Sequence, residues 1–281
     1  MAATSVQSKA QRLSALHETG TTIVPCAWDA GTACILTGLG FKALGVSGAG
    51  IAFALGRRDG ANLVSRDETL DASRAIVAAT DLPIAGDLEN GFGDDPETVA
   101  ETIRRAAAAG LAGGSIEDMT GDARQSIYGF NQAVERVAAA AEAARSIPGG
   151  FVLTARAEGV LYGHATLDET IRRLQAFEAA GADMLYAPGL PDIVAIRAAC
   201  SALTKPFAVL AGRGVKPYPS VPELAAAGVR QVNLGAALVR AALSTVIQGA
   251  REVMERGTFE FEANAMAYDD IVDCIARSRA G

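Results

Sequence analysis

The sequence predicts an α/β fold in which eight parallel strands and their helices close into a single (β/α)8 TIM barrel. Short apolar runs alternate with longer Ala- and Glu-rich segments of helical pattern, as in consecutive βα units. Half of the residues are hydrophobic but only 5% are aromatic, which suits strands buried beneath Ala-rich helices. No low-complexity linker divides the units, so we expect one domain over residues 1–281. A doubly wound open sheet is the alternative fold.

The eight predicted strands are marked by short apolar runs. They cover residues 22–26, 43–46, 82–85, 113–116, 151–154, 184–187, 207–210 and 231–234. The predicted helices between them cover residues 29–39, 66–80, 96–109, 132–147, 167–180, 192–203 and 221–227. Gly40, Gly110, Gly181 and Gly228 each follow a helical segment, where a left-handed glycine commonly ends a helix.

Helical patterns also lie outside the eight units. Residues 5–17 predict an N-terminal helix, and residues 236–255 and 261–279 predict two helices after the last strand. The extension over residues 236–281 exceeds what a barrel needs, so we expect it to pack between subunits.

Charge and cysteine content exclude several classes of protein. The net charge of −7 argues against nucleic-acid binding, which depends on clustered Lys and Arg. No apolar run is long enough for a membrane helix, and the N-terminus lacks the apolar segment of a secretory signal. The four cysteines form no CxxC pair. We therefore expect a cytoplasmic protein with free thiols.

Carboxylates collect where the predicted strands end. In a barrel these positions face the mouth that holds the active site. The chain has only two histidines, so a Ser-His-Asp site or a His-rich metal site is not favoured. The carboxylates are Asp59, Asp87, Glu89, Glu117, Asp118 and Glu158. Two like charges 5 Å apart repel by roughly 3 kcal/mol at an effective dielectric constant of about 20. A hard cation relieves that repulsion, and Mg²⁺ fits best, with Mn²⁺ as the alternative ion. Alternatively, several of these acids pair with Arg or Lys at the rim.

Other residues at the strand ends suit an anionic ligand. Arg156 can hold a carboxylate through two parallel hydrogen bonds, although a salt bridge to Glu158 or Glu117 is the alternative. Ser47 and Gly48 offer a hydroxyl and bare backbone N–H groups. Trp28 follows the first strand and can form an aromatic wall, with simple core packing as the alternative.

At these positions the sequence resembles the isocitrate lyase / phosphoenolpyruvate mutase superfamily over about residues 10–255. The resemblance depends on PCAWDAGTA, ALGVSGAGIA, LGRRDG, PIAGDLENGFGD, GGSIEDMTG, TARAEG and VNLGAALVRAAL. It implies a (β/α)8 barrel whose last helix often swaps between subunits, usually in a homotetramer, so we expect a homo-oligomer, tetramer or dimer.

The resemblance also implies the roles of individual residues. Asp87 binds Mg²⁺ directly, and Asp59, Glu89 and Glu117 bind it directly or through water. A 2-oxo carboxylate chelates the ion beside Asp87, and the common mechanism stabilises an enolate. The residues implied to hold that carboxylate are Trp28, Ser47, Gly48, Ala49 and Arg156. Asp59, Glu117 and Arg156 are therefore candidate catalytic residues.

Departures from the family pattern concern the segment over residues 119–131, which we call the lid. Lyases of the isocitrate type carry K-x-C-G-H there, whereas this lid has neither Cys nor His. Phosphonate-processing members carry Lys, Thr and Asn in the lid and a His after strand six. Here the lid has Arg124, Gln125 and Ser126, and Pro188 stands at the His position. Glu158 replaces a commoner Asp, and Ala208 a commoner Asn.

Three functions follow from these departures. The first is a Mg²⁺-dependent lyase or decarboxylase of a small 2-oxo or hydroxy (di)carboxylate, acting through an enolate. The second is a mutase or hydrolase of a C–P bond, of the phosphonopyruvate/phosphoenolpyruvate type. The third is a protein that binds a 2-oxo acid with little turnover. For the enzymes, we hypothesise that Arg124 or the Tyr128 hydroxyl supplies a proton from a closing lid; an ordinary surface loop is the alternative.

Overall fold

The computed structural model describes residues 8–122, 126–212 and 217–277. Arg124 and Gln125 of the lid lie outside the described residues. Parallel strands form one sheet in the order β1-β9-β8-β7-β6-β5-β4-β3-β2. Their bounds are β1 Thr22–Val24, β2 Cys26–Ala27, β3 Leu44–Val46, β4 Ile84–Asp87, β5 Gly113–Glu117, β6 Val152–Arg156, β7 Met184–Tyr186, β8 Phe207–Leu210 and β9 Gln231–Asn233.

The first strand of the barrel is divided at Pro25. Proline lacks the N–H group that a strand donates to its neighbour, so the ladder is interrupted there. β1 pairs with β9 and β2 pairs with β3, so the two halves join the ends of the sheet. The result is a ring of eight strands, which confirms the predicted (β/α)8 barrel and excludes the open sheet.

The helices surround the strands in the order expected of βα units. Their bounds are α1 Lys9–Glu18, α2 Ala30–Gly38, α3 Gly48–Ala54, α4 Arg66–Ala78, α5 Pro96–Ala108, α6 Phe130–Arg145, α7 Leu167–Ala180, α8 Ile193–Ala202, α9 Val221–Ala226, α10 Ala237–Arg256 and α11 Tyr268–Arg277. Most begin at a Ser, Thr or Asp whose side chain accepts a hydrogen bond from the third helical residue, for example Ser65 and Asp95. Gly40, Gly110, Gly181 and Gly228 have φ between 89° and 108°, as predicted for helix ends.

Several element predictions were wrong in detail. No helix was predicted between the second strand and residue 66, whereas Ser47 caps the short helix α3, Gly48–Ala54. β4 ends two residues later than predicted, at Asp87, because a charged residue at a strand end breaks the apolar pattern. The predicted helix over residues 261–279 is a 3₁₀ helix, Glu260–Asn264, followed by the shorter α11.

The core lies between the strands and the helices that cover them. Leu44, Ile84 and Ile116 of the strands and Leu70 and Ile103 of the helices are almost completely buried. Small residues let the elements approach closely: a Cβ at Gly113 would lie 2.6 Å from the Val152 carbonyl oxygen. A stable frame therefore holds the strand ends in place.

The C-terminal extension differs from the barrel in how little of it is buried. Along the 20 residues of α10, only Val239 and Gly249 are buried. Val246 is 63% exposed and Met254 is 86% exposed. α11 lies against α2 of the same chain. Within the described part of the chain, no helix is both long and apolar enough to cross a membrane.

Candidate active site

A cavity of about 160 Å³ opens among the carboxyl ends of the strands. This is the mouth at which (β/α)8 barrels place their chemistry. The charged side chains that line the cavity are Asp59, Asp87, Glu89, Glu117, Arg156 and Glu158, and the other lining residues include Cys26, Ser47, Ala49, Tyr186, Pro188, Gln231 and Asn233. The cavity is small, so a ligand with few non-hydrogen atoms fits it best.

Three carboxylates converge on one side of this cavity. Asp87, Glu89 and Glu117 each offer an oxygen atom, and these atoms all lie within 4.8 Å of one another. Asp87 pairs with Ser115 of the neighbouring strand, so Glu117, two residues further, emerges on the same face. Glu89 has a left-handed φ of 50°. Such backbone is strained for a residue other than glycine and is common at functional sites.

Backbone approaches these carboxylates from α3. A Cβ at Gly48 would lie 2.5 Å from Glu89 Oε1 and 3.0 Å from Asp87 Oδ2, so only glycine fits there. The Ser47 hydroxyl accepts a hydrogen bond from the Gly50 N–H, and Ser47 and Ala49 line the cavity. All three residues predicted from the serine–glycine motif therefore border the acidic group. Three carboxylate oxygen atoms face a space that no side chain at position 48 can fill. Such a set of oxygen ligands suits a hard cation.

Arg156 is surrounded by carboxylates. Its Nη1 lies 2.9 Å from Asp87 Oδ1, its Nη2 lies 3.0 Å from Glu117 Oε2, and its Nε lies 2.9 Å from Glu158 Oε1. The alternative that the sequence analysis left open, a salt bridge to Glu158 or Glu117, is therefore present in the structure and extends to Asp87. One guanidinium holds three carboxylates, which leaves the acidic group with excess negative charge.

Burial and that excess charge together favour the protonated forms of Glu89 and Glu117. Burial, together with the charge of Asp87, raises the pKa of Glu89 to about 8. Burial also raises the pKa of Glu117 well above its usual range, although Arg156 opposes the shift. Without a further cation, the group takes up protons to reduce repulsion. A divalent ion would replace those protons.

Two of the six predicted carboxylates stand apart from this group. Asp59 lines the cavity at its exposed rim, and its charge contributes to the raised pKa of Glu89. Asp118 is buried outside the cavity lining, where its Oδ1 accepts a hydrogen bond of 2.8 Å from the Glu158 N–H. Its Oδ2 lies 3.4 Å from Arg173 Nε. Asp118 therefore fixes the backbone at the end of β6 and does not face the cavity.

The structure places Trp28 away from the cavity, which corrects its assignment as a wall of the site. Trp28 lines a separate shallow pocket with Ile51, Ala54 and Leu55 of α3. A Cβ at Gly50 would lie 2.5 Å from the Trp28 Cβ, so the two segments pack tightly together. Trp28 therefore packs against α3.

Tyr128 is also placed elsewhere than predicted, and its assignment as a proton donor is corrected. The side chain is buried, and its hydroxyl donates to Asp94 Oδ1 at 2.6 Å and accepts from Asn90 Nδ2 at 3.0 Å. Burial and the bond to Asp94 raise the pKa of Tyr128 to about 12. Tyr128 does not line the cavity. Through its hydrogen bonds to Asn90 and Asp94, Tyr128 connects the end of the lid to the loop that follows β4.

The same loop is held by Arg136, a residue that the sequence analysis missed. Arg136 is 1% exposed and lies 4.1 Å above the Tyr128 ring. It donates to the carbonyl oxygen of Gly93 at 2.6 Å and to that of Asn90. An arginine within a helical pattern suggests a surface residue, so the sequence carried no signal for this role. Arg136 holds the strained loop that carries Glu89.

Two curated enzymes that act on small carboxylic acids are similar to this chain. A 2-methylisocitrate lyase of Escherichia coli is 32% identical over 198 residues, which cover 68% of this chain and 65% of that enzyme. An oxaloacetate decarboxylase of Bradyrhizobium diazoefficiens is 31% identical over 66% of this chain and 64% of that enzyme. The chain thus spans slightly less than two thirds of the length of these two relatives.

A solved structure extends the comparison over the whole barrel. A candidate lyase or mutase from Burkholderia cenocepacia is 48% identical, covers 95% of both chains and superimposes with a TM-score of 0.91. Residues 13–254 match the phosphoenolpyruvate phosphomutase family, and these residues include every candidate ligand and substrate contact described above. The chain therefore belongs to the phosphoenolpyruvate phosphomutase family.

Proposed function

We propose that the protein is a Mg²⁺-dependent lyase or decarboxylase that acts on a small 2-oxo or hydroxy (di)carboxylate through an enolate. One observation carries the proposal: oxygen atoms of Asp87, Glu89 and Glu117 lie within 4.8 Å of one another beside the half-buried Arg156. The similarity to a 2-methylisocitrate lyase and an oxaloacetate decarboxylase supports the reaction class.

The acidic group would hold the ion, with Asp59 near the rim as a further ligand through water. When bound, Mg²⁺ supplies positive charge where an oxyanion develops, and Mn²⁺ is the alternative ion. Arg156, whose N–H groups contact Asp87, Glu117 and Glu158, would turn part of this donor set toward a substrate carboxylate if a cation took over charge compensation of the acids. Such an arginine can hold the carboxylate through two hydrogen bonds.

The N-terminal turn of α3 would complete the site. The Ser47 hydroxyl and the backbone N–H groups of Gly48 and Ala49 lie at the edge of the cavity, where they can donate to the substrate's oxygen atoms. Donors that are already oriented stabilise a developing oxyanion without reorganisation during the reaction. A C–C bond at the neighbouring carbon could then break with its electron pair moving toward that oxygen.

The family match itself favours a second candidate, cleavage or migration of a C–P bond. Both reactions would use the same ion and the same arginine, because each stabilises charge on a 2-oxo acid. A protein that binds a 2-oxo acid with little turnover is the third candidate.

Turnover of a panel of acids distinguishes these candidates. The purified protein with Mg²⁺ is incubated with oxaloacetate, 2-methylisocitrate and phosphonopyruvate, and products are followed by pyruvate release and ³¹P NMR. We expect pyruvate from a C–C substrate, and Glu117→Gln should reduce its formation by roughly a hundredfold or more, the scale of losing one electrostatic element. Glu97→Gln, on the exposed face of α5, is the matched control.

Each other outcome overturns the first candidate. Phosphorus products alone would assign the C–P reaction. Binding of the acids without any product would assign a binding protein.

We also propose that the extension over residues 236–281 packs against a second copy of the chain in a homo-oligomer, dimer or tetramer, by exchange of its helices. The exposed apolar side chains of α10, including Val246, Ile247 and Met254, support this proposal. Sedimentation velocity should give a mass above one chain, and Val246→Asp should shift it toward the monomer. A monomeric parent protein would contradict the proposal.

A further inference from the structure

Three polar side chains form a hydrogen-bonded chain on the side of the barrel away from the acids. His17 of α1 and Gln231 of β9 are both buried, and His17 Nε2 lies 2.8 Å from Gln231 Oε1. Gln231 Nε2 donates to Asn233 Oδ1 at 2.8 Å. Gln231 and Asn233 both line the cavity, so the chain connects the N-terminal helix with the cavity wall.

The position of β9 in the ring places this chain opposite the acids. With β1 and β2 as halves of one strand, β9 is four strands from β5 in either direction around the ring. β5 carries Glu117, so Asn233 faces the acidic group from across the cavity. A ligand whose carboxylate end lies at Arg156 therefore extends toward Asn233.

The hydrogen bonds give the Asn233 amide a defined orientation. Gln231 accepts through its carbonyl oxygen, so His17 donates from Nε2, and the Gln231 amino group is then directed at Asn233. The carbonyl oxygen of Asn233 is thereby occupied. Among the described residues, the Asn233 amino group has no hydrogen-bond partner, and it is left to donate to a ligand.

We propose that Asn233 is a specificity-determining residue whose amino group donates to an oxygen acceptor at the end of the substrate remote from its 2-oxo acid group, and that His17 and Gln231 fix its orientation. The inference depends on the proposed function, because that function places the 2-oxo acid end at Arg156. It defines the substrate class as short 2-oxo acids that carry a carboxylate, carbonyl or hydroxyl oxygen at the remote carbon.

Discrimination follows from the cost of leaving a donor without a partner. An acid that ends in a methyl group would displace water from the Asn233 amino group and offer no acceptor in return. Leu210, which pairs with Asn233 in the sheet, also lines the cavity, and its side chain donates no hydrogen bond. The amide therefore favours the oxygenated acid.

Calorimetry with three probes in the presence of Mg²⁺ tests the inference. Oxalate occupies only the 2-oxo acid end, 3,3-difluorooxaloacetate adds a remote carboxylate, and 2-oxobutyrate ends in a methyl group. Asn233→Leu should weaken binding of the difluoro acid roughly ten- to a hundredfold, the range for one hydrogen bond to a charged group. Its affinity for oxalate should change by less than about threefold, within the spread of unperturbed sites. Its affinity for 2-oxobutyrate should rise, because leucine leaves no donor without a partner beside the methyl group.

A thermodynamic cycle tests the role of His17. His17→Leu should lose part of the difluoro acid affinity that Asn233→Leu loses, and the double variant should lose no more than Asn233→Leu alone. His164→Leu replaces the exposed histidine outside the cavity and is the matched control. If His17→Leu fails to fold, Gln231→Leu removes the same orienting bond.

The outcomes separate this inference from the proposed function. If oxalate fails to bind the parent protein with Mg²⁺, the proposed function is overturned, and this inference with it. If oxalate binds but Asn233→Leu leaves the affinity for the difluoro acid unchanged, only the inference is overturned. Additive losses in the cycle would remove the role of His17 and Gln231.

Discussion

The two sides of the cavity differ in charge. The ends of β4, β5 and β6 bring Asp87, Glu117, Arg156 and the neighbouring Glu89 together, whereas β9 presents the neutral amides of Gln231 and Asn233. The charged side needs protons or a cation to become stable, as the raised pKa of Glu89 indicates. The neutral side carries no charge to compensate, and hydrogen bonds from His17 and Gln231 orient it while the Asn233 amino group is left to donate. Under the proposals made above, the ion would be bound at β4 and β5, and the substrate would be selected at β9, on the opposite side of the ring.

The charged side is also the more strained of the two. Glu89 and Phe92, both in the loop after β4, have left-handed φ values of 50° and 62°. Arg136 holds two carbonyl groups of that loop, and Thr102 holds the carbonyl of Gly91 at 2.7 Å. Buried hydrogen bonds thus maintain a conformation that the loop would not adopt alone.

The largest loss of ligand affinity should come from replacing Arg156, the positively charged side chain on the charged side of the cavity. Arg156→Lys keeps the charge but loses the planar donors that can hold a carboxylate through two hydrogen bonds. We expect oxalate affinity in the presence of Mg²⁺ to fall by about 2–3 kcal/mol, the upper range for hydrogen bonds to charged groups. Calorimetry measures the loss, and Asn233→Leu should not reproduce it. Equal oxalate affinity in Arg156→Lys and the parent would remove the role of Arg156 in binding.

A smaller effect should appear in the pH dependence of stability. The pKa of Glu89 is raised from 4.5 to about 8 in the folded protein, so the folded state binds a proton that the unfolded chain releases. The resulting stabilisation is fully present below pH 4.5 and is lost as the pH rises through 8. We expect the free energy of unfolding without Mg²⁺ to fall by up to about 1.4 kcal/mol per pH unit for this group.

Urea unfolding at pH 6, 7 and 8 checks this dependence. Saturating Mg²⁺ should reduce the slope, because the ion takes the place of the proton. An identical slope with and without Mg²⁺ would show that the charged side does not bind the ion.

The sequence predicted the parts of this arrangement that depend on strand ends. Asp87, Glu89, Glu117 and Arg156 follow buried apolar runs, and parallel strands bring such positions together at one mouth. The strands themselves were recognisable because their apolar runs are short and bounded by helical patterns.

Side-chain direction and distant contacts could not be predicted in the same way. Trp28 and Tyr128 lie near the mouth in sequence, yet packing on α3 and bonds to Asn90 and Asp94 turn them away from it. His17 and Gln231 are separated by 214 positions, so no local pattern connects them. Contacts of this kind depend on which strands become neighbours when the ring closes and on the register between them. The order of the strands along the sequence does not give that register.

The most direct test of the account is calorimetric titration of Mg²⁺ into the parent protein and into Asp87→Ala. Asp87 offers one of three clustered oxygen atoms at the half-buried end of its strand, outside the apolar core, so its removal should leave the fold intact. Asp71→Ala, at an exposed position on α4, is the matched control. We predict that the parent and the control bind Mg²⁺ with the same affinity and that Asp87→Ala shows no measurable binding. Unchanged Mg²⁺ affinity in folded Asp87→Ala would contradict the account.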